Sequence, residues 1–78
     1  MSKNMPADQR FVVCIRTDEH EMDLALHKIY AVLPDPLAER DGWIRVVDET
    51  GEDYLYPEDC FRPVEVSRAL GEELLRAS

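Results

Sequence analysis

The sequence predicts an all-β domain, a small barrel of five short strands with a short helix at its C-terminus. Three observations carry this. Between Lys28 and Val66 short apolar stretches recur, rich in β-branched and aromatic residues, with the length and composition of strands. Each is bounded by turn chemistry: Pro34-Asp35-Pro36, Gly42, Gly51, Pro57 and Pro63. The chain has 78 residues, of which 45% are hydrophobic and 33% charged, which suits one folded domain with a modest core.

Taken in order, residues 1–9 are polar and read as a disordered lead-in. They hold no apolar run, so no signal peptide is expected, and no segment is long enough to span a membrane. Residues 10–66 form the predicted barrel. Its first strand is Phe11–Ile15, a continuous apolar run between two arginines. Thr17–Asp23 is almost wholly polar and reads as a solvated loop, and Leu24–Lys28 as a helical turn or the rising arm of a hairpin. The second strand is Ile29–Leu33, with Tyr30 and Val32 on one face. Pro34 and Pro36 end it, because proline removes ladder donors and forces the preceding residue extended. Leu37–Asp41 follows as a connector with a possible helical turn.

Trp43–Asp48 and Asp53–Tyr56 make a hairpin. Asp48-Glu49-Thr50-Gly51 suits a type I turn with Gly51 left-handed. Pro57-Glu58-Asp59-Cys60 reads as a single 3₁₀ turn. Phe61–Val66 is the fifth strand, confined to an edge by Pro63. Residues 67–78 form a helix capped by Ser67, with Leu70 and Leu74 on the face that packs on the barrel. The expected core is Val13, Ile15, Leu26, Ile29, Val32, Ile44, Val46, Tyr56, Phe61 and Val64.

This layout resembles the Src-homology-3 barrel. Lys28–Leu33 resembles that family's second strand, Asp41-Gly42-Trp43 its Trp-bearing third strand, and Pro57–Phe61 its Pro-Ser-Asn-Tyr turn. The string Leu33-Pro34-Asp35-Pro36 followed by Ile44–Pro57 is also similar to short bacterial proteins of this barrel type to which no activity is assigned. The resemblance covers Phe11–Val66 and implies a five-stranded SH3-like barrel; it does not imply an activity. Family members bind proline-rich peptides between aromatic ridges. Of those groove residues Trp43 and Pro57 are kept, Val12–Arg16 holds no Tyr, and Cys60 stands where the family has one.

The net charge of −8 speaks against binding along a phosphate backbone or on an anionic membrane, both of which need clustered Lys and Arg. It is compatible with a basic protein partner. Cys14 and Cys60 lack C-x-x-C spacing and read as small buried hydrophobes in a reducing, cytoplasmic setting; a redox pair, or a soft metal site with His20, is the alternative. His20 and His27 lie in or beside a run of carboxylates whose spacing fits neither an EF-hand nor a helical His pair. Asp48, Glu49, Glu52 and Asp53 sit at a hairpin tip, where water keeps carboxylates ordinary. Trp43 reads equally as core and as a half-exposed anchor, Tyr56 as core with its hydroxyl at the surface.

No nucleophile motif, phosphate loop or cofactor motif is present, so no enzyme and no cofactor are expected. The function expected is a non-catalytic protein-interaction module, monomeric or weakly dimeric, presenting Trp43, Tyr54, Pro57 and Cys60 to a protein partner. The alternatives are an acidic effector or nucleic-acid mimic that occupies a basic surface, and a thiol or metal sensor using Cys14 and Cys60.

Overall fold

The computed structural model describes residues 8–77, so the lead-in up to residue 7, Ser78 and the expectations placed on them lie outside the described residues. Five strands appear where the apolar stretches fall: β1 (Arg10–Cys14), β2 (Ile29–Leu33), β3 (Trp43–Val47), β4 (Asp53–Pro57) and β5 (Phe61–Val64). Helix α1 (Pro36–Arg40) joins β2 to β3, a 3₁₀ turn over Glu58–Cys60 joins β4 to β5, and α2 (Arg68–Ala77) follows. Gln9, at the end of the lead-in, donates its side-chain amide to the Val32 carbonyl and so holds to the sheet.

The strands form one antiparallel sheet in the order β4-β3-β2-β1-β5. It is not a closed barrel: among the described residues no ladder joins β4 to β5. The reason lies at the ends. Pro57 lacks an N–H and leads straight into the 3₁₀ turn, while β5 is four residues long with Pro63 inside it. The sheet instead curls until side chains meet across the opening. Phe61 of β5 stands edge-on to Tyr56 of β4 and to Tyr30 of β2, each with ring centroids 6.3 Å apart.

Inside the curl lie Val12, Cys14, Leu24, Tyr30, Val32, Ile44, Val46, Tyr56, Cys60 and Phe61. Five of the expected core residues are among them: Val32, Ile44, Val46, Tyr56 and Phe61. On β1 the expected face is inverted. Val12 and Cys14 are buried, whereas Val13 and Ile15 are only half-buried. The register explains it, for Val12 lies opposite Tyr30 and Val13 opposite Ile29, so the inward face follows Tyr30. Ile29 and Val64 are likewise half-buried. Leu24 takes the place expected of Leu26, which is 53% exposed. Phe11 is buried on the other side of the sheet, opposite Ala31 and Val64.

Helix α2 starts as its sequence dictates. Ser67 caps it, its Oγ accepting the Leu70 N–H at 3.1 Å. The docked face differs from the Leu70–Leu74 pair expected. Leu70 is 44% exposed, while Gly71 is buried and Leu74 and Leu75 are half-buried, an i, i+3, i+4 set. The helix lies against β2, and Leu74 borders a cavity of about 270 Å³ with Ile29, Ala31 and Val47. Gly71 weakens a helix in isolation, and here it is the buried residue of the docked face. Among the described residues no helix is long and apolar enough to cross a membrane.

The β3–β4 turn forms as its residues specify. The Gly51 N–H donates to the Asp48 carbonyl at 3.0 Å, and Gly51 has φ of +85°. A Cβ at Gly51 would meet nothing within 4 Å, so only backbone strain opposes substitution. Gly51→Ala is expected to destabilise the fold by about 1 kcal/mol through that strain. A chemical-denaturation midpoint equal to wild type would refute the left-handed turn.

Candidate interaction surface

The β3–β4 hairpin keeps one register throughout, pairing Trp43 with Pro57, Arg45 with Leu55 and Val47 with Asp53. Side chains alternate across a strand, so these six share the outward face, while Ile44, Val46, Tyr54 and Tyr56 share the other. The outward face is apolar at one end. Trp43 is 43% exposed and Leu55 40%, with Pro57 half-buried directly across from Trp43. Leu37, 71% exposed, lies on α1, which packs against β3.

An ion network fixes the middle of this face. Asp35 caps α1 by accepting the Ala38 N–H, and its Oδ2 accepts from both Nε and Nη2 of Arg45. Arg45 Nη1 donates to Asp53 at 2.9 Å. These hydrogen bonds hold the Asp35 carboxyl below its ordinary value and push the Arg45 guanidinium up. Arg45 is therefore neutralised by its two carboxylates, and the exposed charges flanking Trp43 and Pro57 in sequence are Arg40, Asp41, Glu58 and Asp59, a net acidic set. The Glu58 N–H donates to the Gly42 carbonyl at 3.0 Å and ties this acidic rim to the start of β3.

Of the four residues expected to meet a partner, Trp43 and Pro57 come together. Tyr54 does not join them; it is 52% exposed but lies on the opposite face of the hairpin. Cys60 has no exposed surface and offers nothing to a partner. Leu55 was missed. The signal was the alternation of Asp53-Tyr54-Leu55-Tyr56-Pro57, which puts Leu55 in phase with Pro57.

The two cysteines are neighbours, since Cys14 pairs with Phe61, the residue after Cys60. Both are free and fully enclosed. Burial raises the Cys14 thiol, and burial with the nearby Asp18 carboxylate pushes Cys60 up to about 11. Both thiols therefore stay protonated at neutral pH, the unreactive form. A thiol reagent is expected to modify neither in the native protein and both after denaturation. Fast native labelling of either would overturn their place in the core. Among the described residues no three His, Cys, Asp or Glu side chains are grouped to hold a metal ion. His20 sets its ring edge-on to Tyr56 at 5.0 Å, and His27 is exposed.

The carboxylates expected to be wet divide sharply. Asp48 is buried, 5% exposed, and accepts from the Thr50 N–H, the Thr50 hydroxyl and the Tyr56 hydroxyl. Burial pushes its carboxyl up, but these hydrogen bonds outweigh burial and hold it below its ordinary value. Glu49 accepts from Lys28 and from the Tyr30 hydroxyl, which itself accepts the Ala25 N–H. The Glu49 N–H donates to the Asp23 carbonyl. The acidic loop is thus fastened to the hairpin rather than merely solvated.

No family model, curated protein or solved structure matches this chain.

Proposed function

We propose that the protein is a non-catalytic protein-interaction module whose working face is the outward surface of β3–β4 at Trp43, Leu55 and Pro57. The observation that carries this is the exposure of Trp43 beside Leu55 and across from Pro57, on a hairpin braced by Arg45, Asp35 and Asp53. A rigid, half-exposed Trp with apolar neighbours is the kind of anchor that dominates protein–protein contacts. Asp41, Glu58 and Asp59 around it, with the net charge of −8, select a partner that places Lys or Arg beside an apolar anchor. An SH3-like identity belongs to this reading, supported by the strand order β4-β3-β2-β1-β5 and the 3₁₀ turn between β4 and β5. A cytoplasmic setting belongs to it too, supported by two buried free thiols.

The test is a titration of isotope-labelled protein, read at the Trp43 indole N–H. Peptides carrying an aromatic or aliphatic anchor flanked by Lys or Arg are expected to move that resonance. Pro-x-x-P peptides are not, because the aromatic walls their prolines need are replaced by Val12–Arg16 and by the buried Cys60. Binding that persists at high salt identifies the apolar anchor as the main contact. Binding that collapses with salt favours an acidic effector that occupies a basic surface. Tight binding of a Pro-x-x-P peptide, or peptide binding that leaves Trp43 unmoved, would overturn the proposed face.

A further inference from the structure

Because the sheet curls without closing, a groove runs beside β5. Its volume is about 930 Å³, within the range of ligand sites. Val12, Ile44 and Phe61 line it, so it reaches the core. Half-buried Val64 and Val66 and exposed Pro63 add an apolar wall. The groove follows the chain from Phe61 to Val66, a run of about 20 Å when extended. That length suits an extended segment better than a single small molecule.

The backbone of β5 gives such a segment little to pair with. Ile15 donates to the Cys60 carbonyl, so the even-numbered residues of β5 hold the β1 ladder. Of the outward positions, the Phe61 N–H already donates to the Glu58 carbonyl, and Pro63 has no N–H. Side-chain chemistry therefore selects the occupant. The charges along the groove are unequal. Glu58, Asp59 and Glu65 are exposed, and none enters an ion pair among the described residues. Arg10 and Arg62 are the cations of the lining. Arg10 is committed to Glu39 at 2.7 Å. Arg62 donates to the Phe61 carbonyl and has no carboxylate partner among the described residues. Three open carboxylates thus outnumber one open guanidinium.

We infer that this groove binds an extended segment of a partner protein that carries Arg or Lys between small apolar residues. The aliphatic stem of such a side chain lies along Pro63, Val64 and Val66 while its head reaches the carboxylates. An acidic segment is disfavoured by the same excess and by the net charge of −8. Trp43, Leu55 and Pro57 do not border the groove, so it is a second site with its own readout.

The test is a titration of isotope-labelled protein with an acetylated, amidated Val-Arg-Val-Arg-Val peptide, read at the Val64 and Val66 methyls. The control peptide replaces each Arg by citrulline, which keeps the shape and removes the charge. The Arg peptide is expected to shift both methyls saturably, and the citrulline peptide to bind several-fold more weakly. Glu65→Gln and Asp59→Asn alter exposed, unpaired side chains, and each is expected to weaken the Arg peptide about two- to fivefold, the worth of an exposed ion pair. The Trp43 indole, followed in the same titration, separates the two sites. Moving methyls with a silent indole refute the Trp43 face alone, and a moving indole with silent methyls refutes the groove. Equal affinity for the two peptides, or an unchanged affinity in both variants, would overturn the inference. So would methyl shifts produced by raising the protein concentration alone, which mark a second copy in the groove. Tighter binding of inorganic phosphate, read at Arg62, would overturn it as well.

Discussion

Phe61→Ala is expected to cost about 3–5 kcal/mol, the range for deleting a buried phenyl ring and leaving its cavity. Phe61 is 3% exposed and touches two other rings, Tyr30 and Tyr56. Its weight in this fold goes beyond area. A closed barrel would hold β4 to β5 by backbone hydrogen bonds; here that seam has none, and the ring contact between Tyr56 and Phe61 stands in for them. Phe61 also sits in the β1–β5 ladder opposite Cys14, so its loss loosens the edge strand as well as the core. A domain of this size has a total stability of order 5–15 kcal/mol, so the variant is expected to be partly unfolded near physiological temperature. Phe61→Leu, which keeps most of the volume, should cost under about 1.5 kcal/mol. The two denaturation curves decide it, and equal midpoints for Phe61→Ala and wild type would show that the seam is held otherwise.

Asp48→Ala is expected to cost roughly 3 kcal/mol or more, because it strands three donors built around one buried carboxylate. Those donors are the Thr50 N–H, the Thr50 hydroxyl and the Tyr56 hydroxyl. The first two shape the turn that sets the β3–β4 register, and the third lies at the core. The same carboxylate gives the fold an acid limit. Its pKa in the folded protein lies below that of the unfolded chain, which is about 3.9. Its contribution to stability is therefore fully present above that unfolded value and is lost as pH falls through the lower folded one. Glu49, lowered by Lys28 and then by Tyr30, adds in the same direction. Urea midpoints measured from neutral pH down to about pH 2 should fall at the acid end. The fall should be shallower in Asp48→Ala. An equal acid slope in the variant would remove Asp48 as its source.

Much of the fold was legible in the chain because its punctuation is local. Proline and glycine act on their own backbone torsions and those next to them, which is why the bounds of β2, the Gly51 turn and the 3₁₀ turn follow from residues alone. The inward face of β3 was legible for the same reason, since Arg45 interrupts Ile44 and Val46. The face of β1 was not. Phe11–Ile15 is apolar throughout, so no polar residue marks the outward side, and pairing with β2 made the choice. The proposed interaction surface was half legible. Trp43 and Pro57 announce a strand start and a strand end, but whether either is exposed depends on what else covers the hairpin.

Composition and pattern by themselves determined the class of this protein: one small β-rich domain, five strands at near their true bounds, acidic, with its tight turn and its capped C-terminal helix in place. These follow from torsional preference and from period-two burial, both of which act over a few residues. Only the tertiary structure decided that the sheet curls without closing, that Cys60 is sealed in while Leu55 is outside, and that Asp48 is buried at a hairpin tip. Each of those depends on a contact between residues distant in sequence or on the twist accumulated across five strands. Asp48 shows the reason most clearly. Its own neighbours make a wet turn, and it is Tyr56, arriving from the facing strand with a hydroxyl to donate, that makes burying a carboxylate favourable.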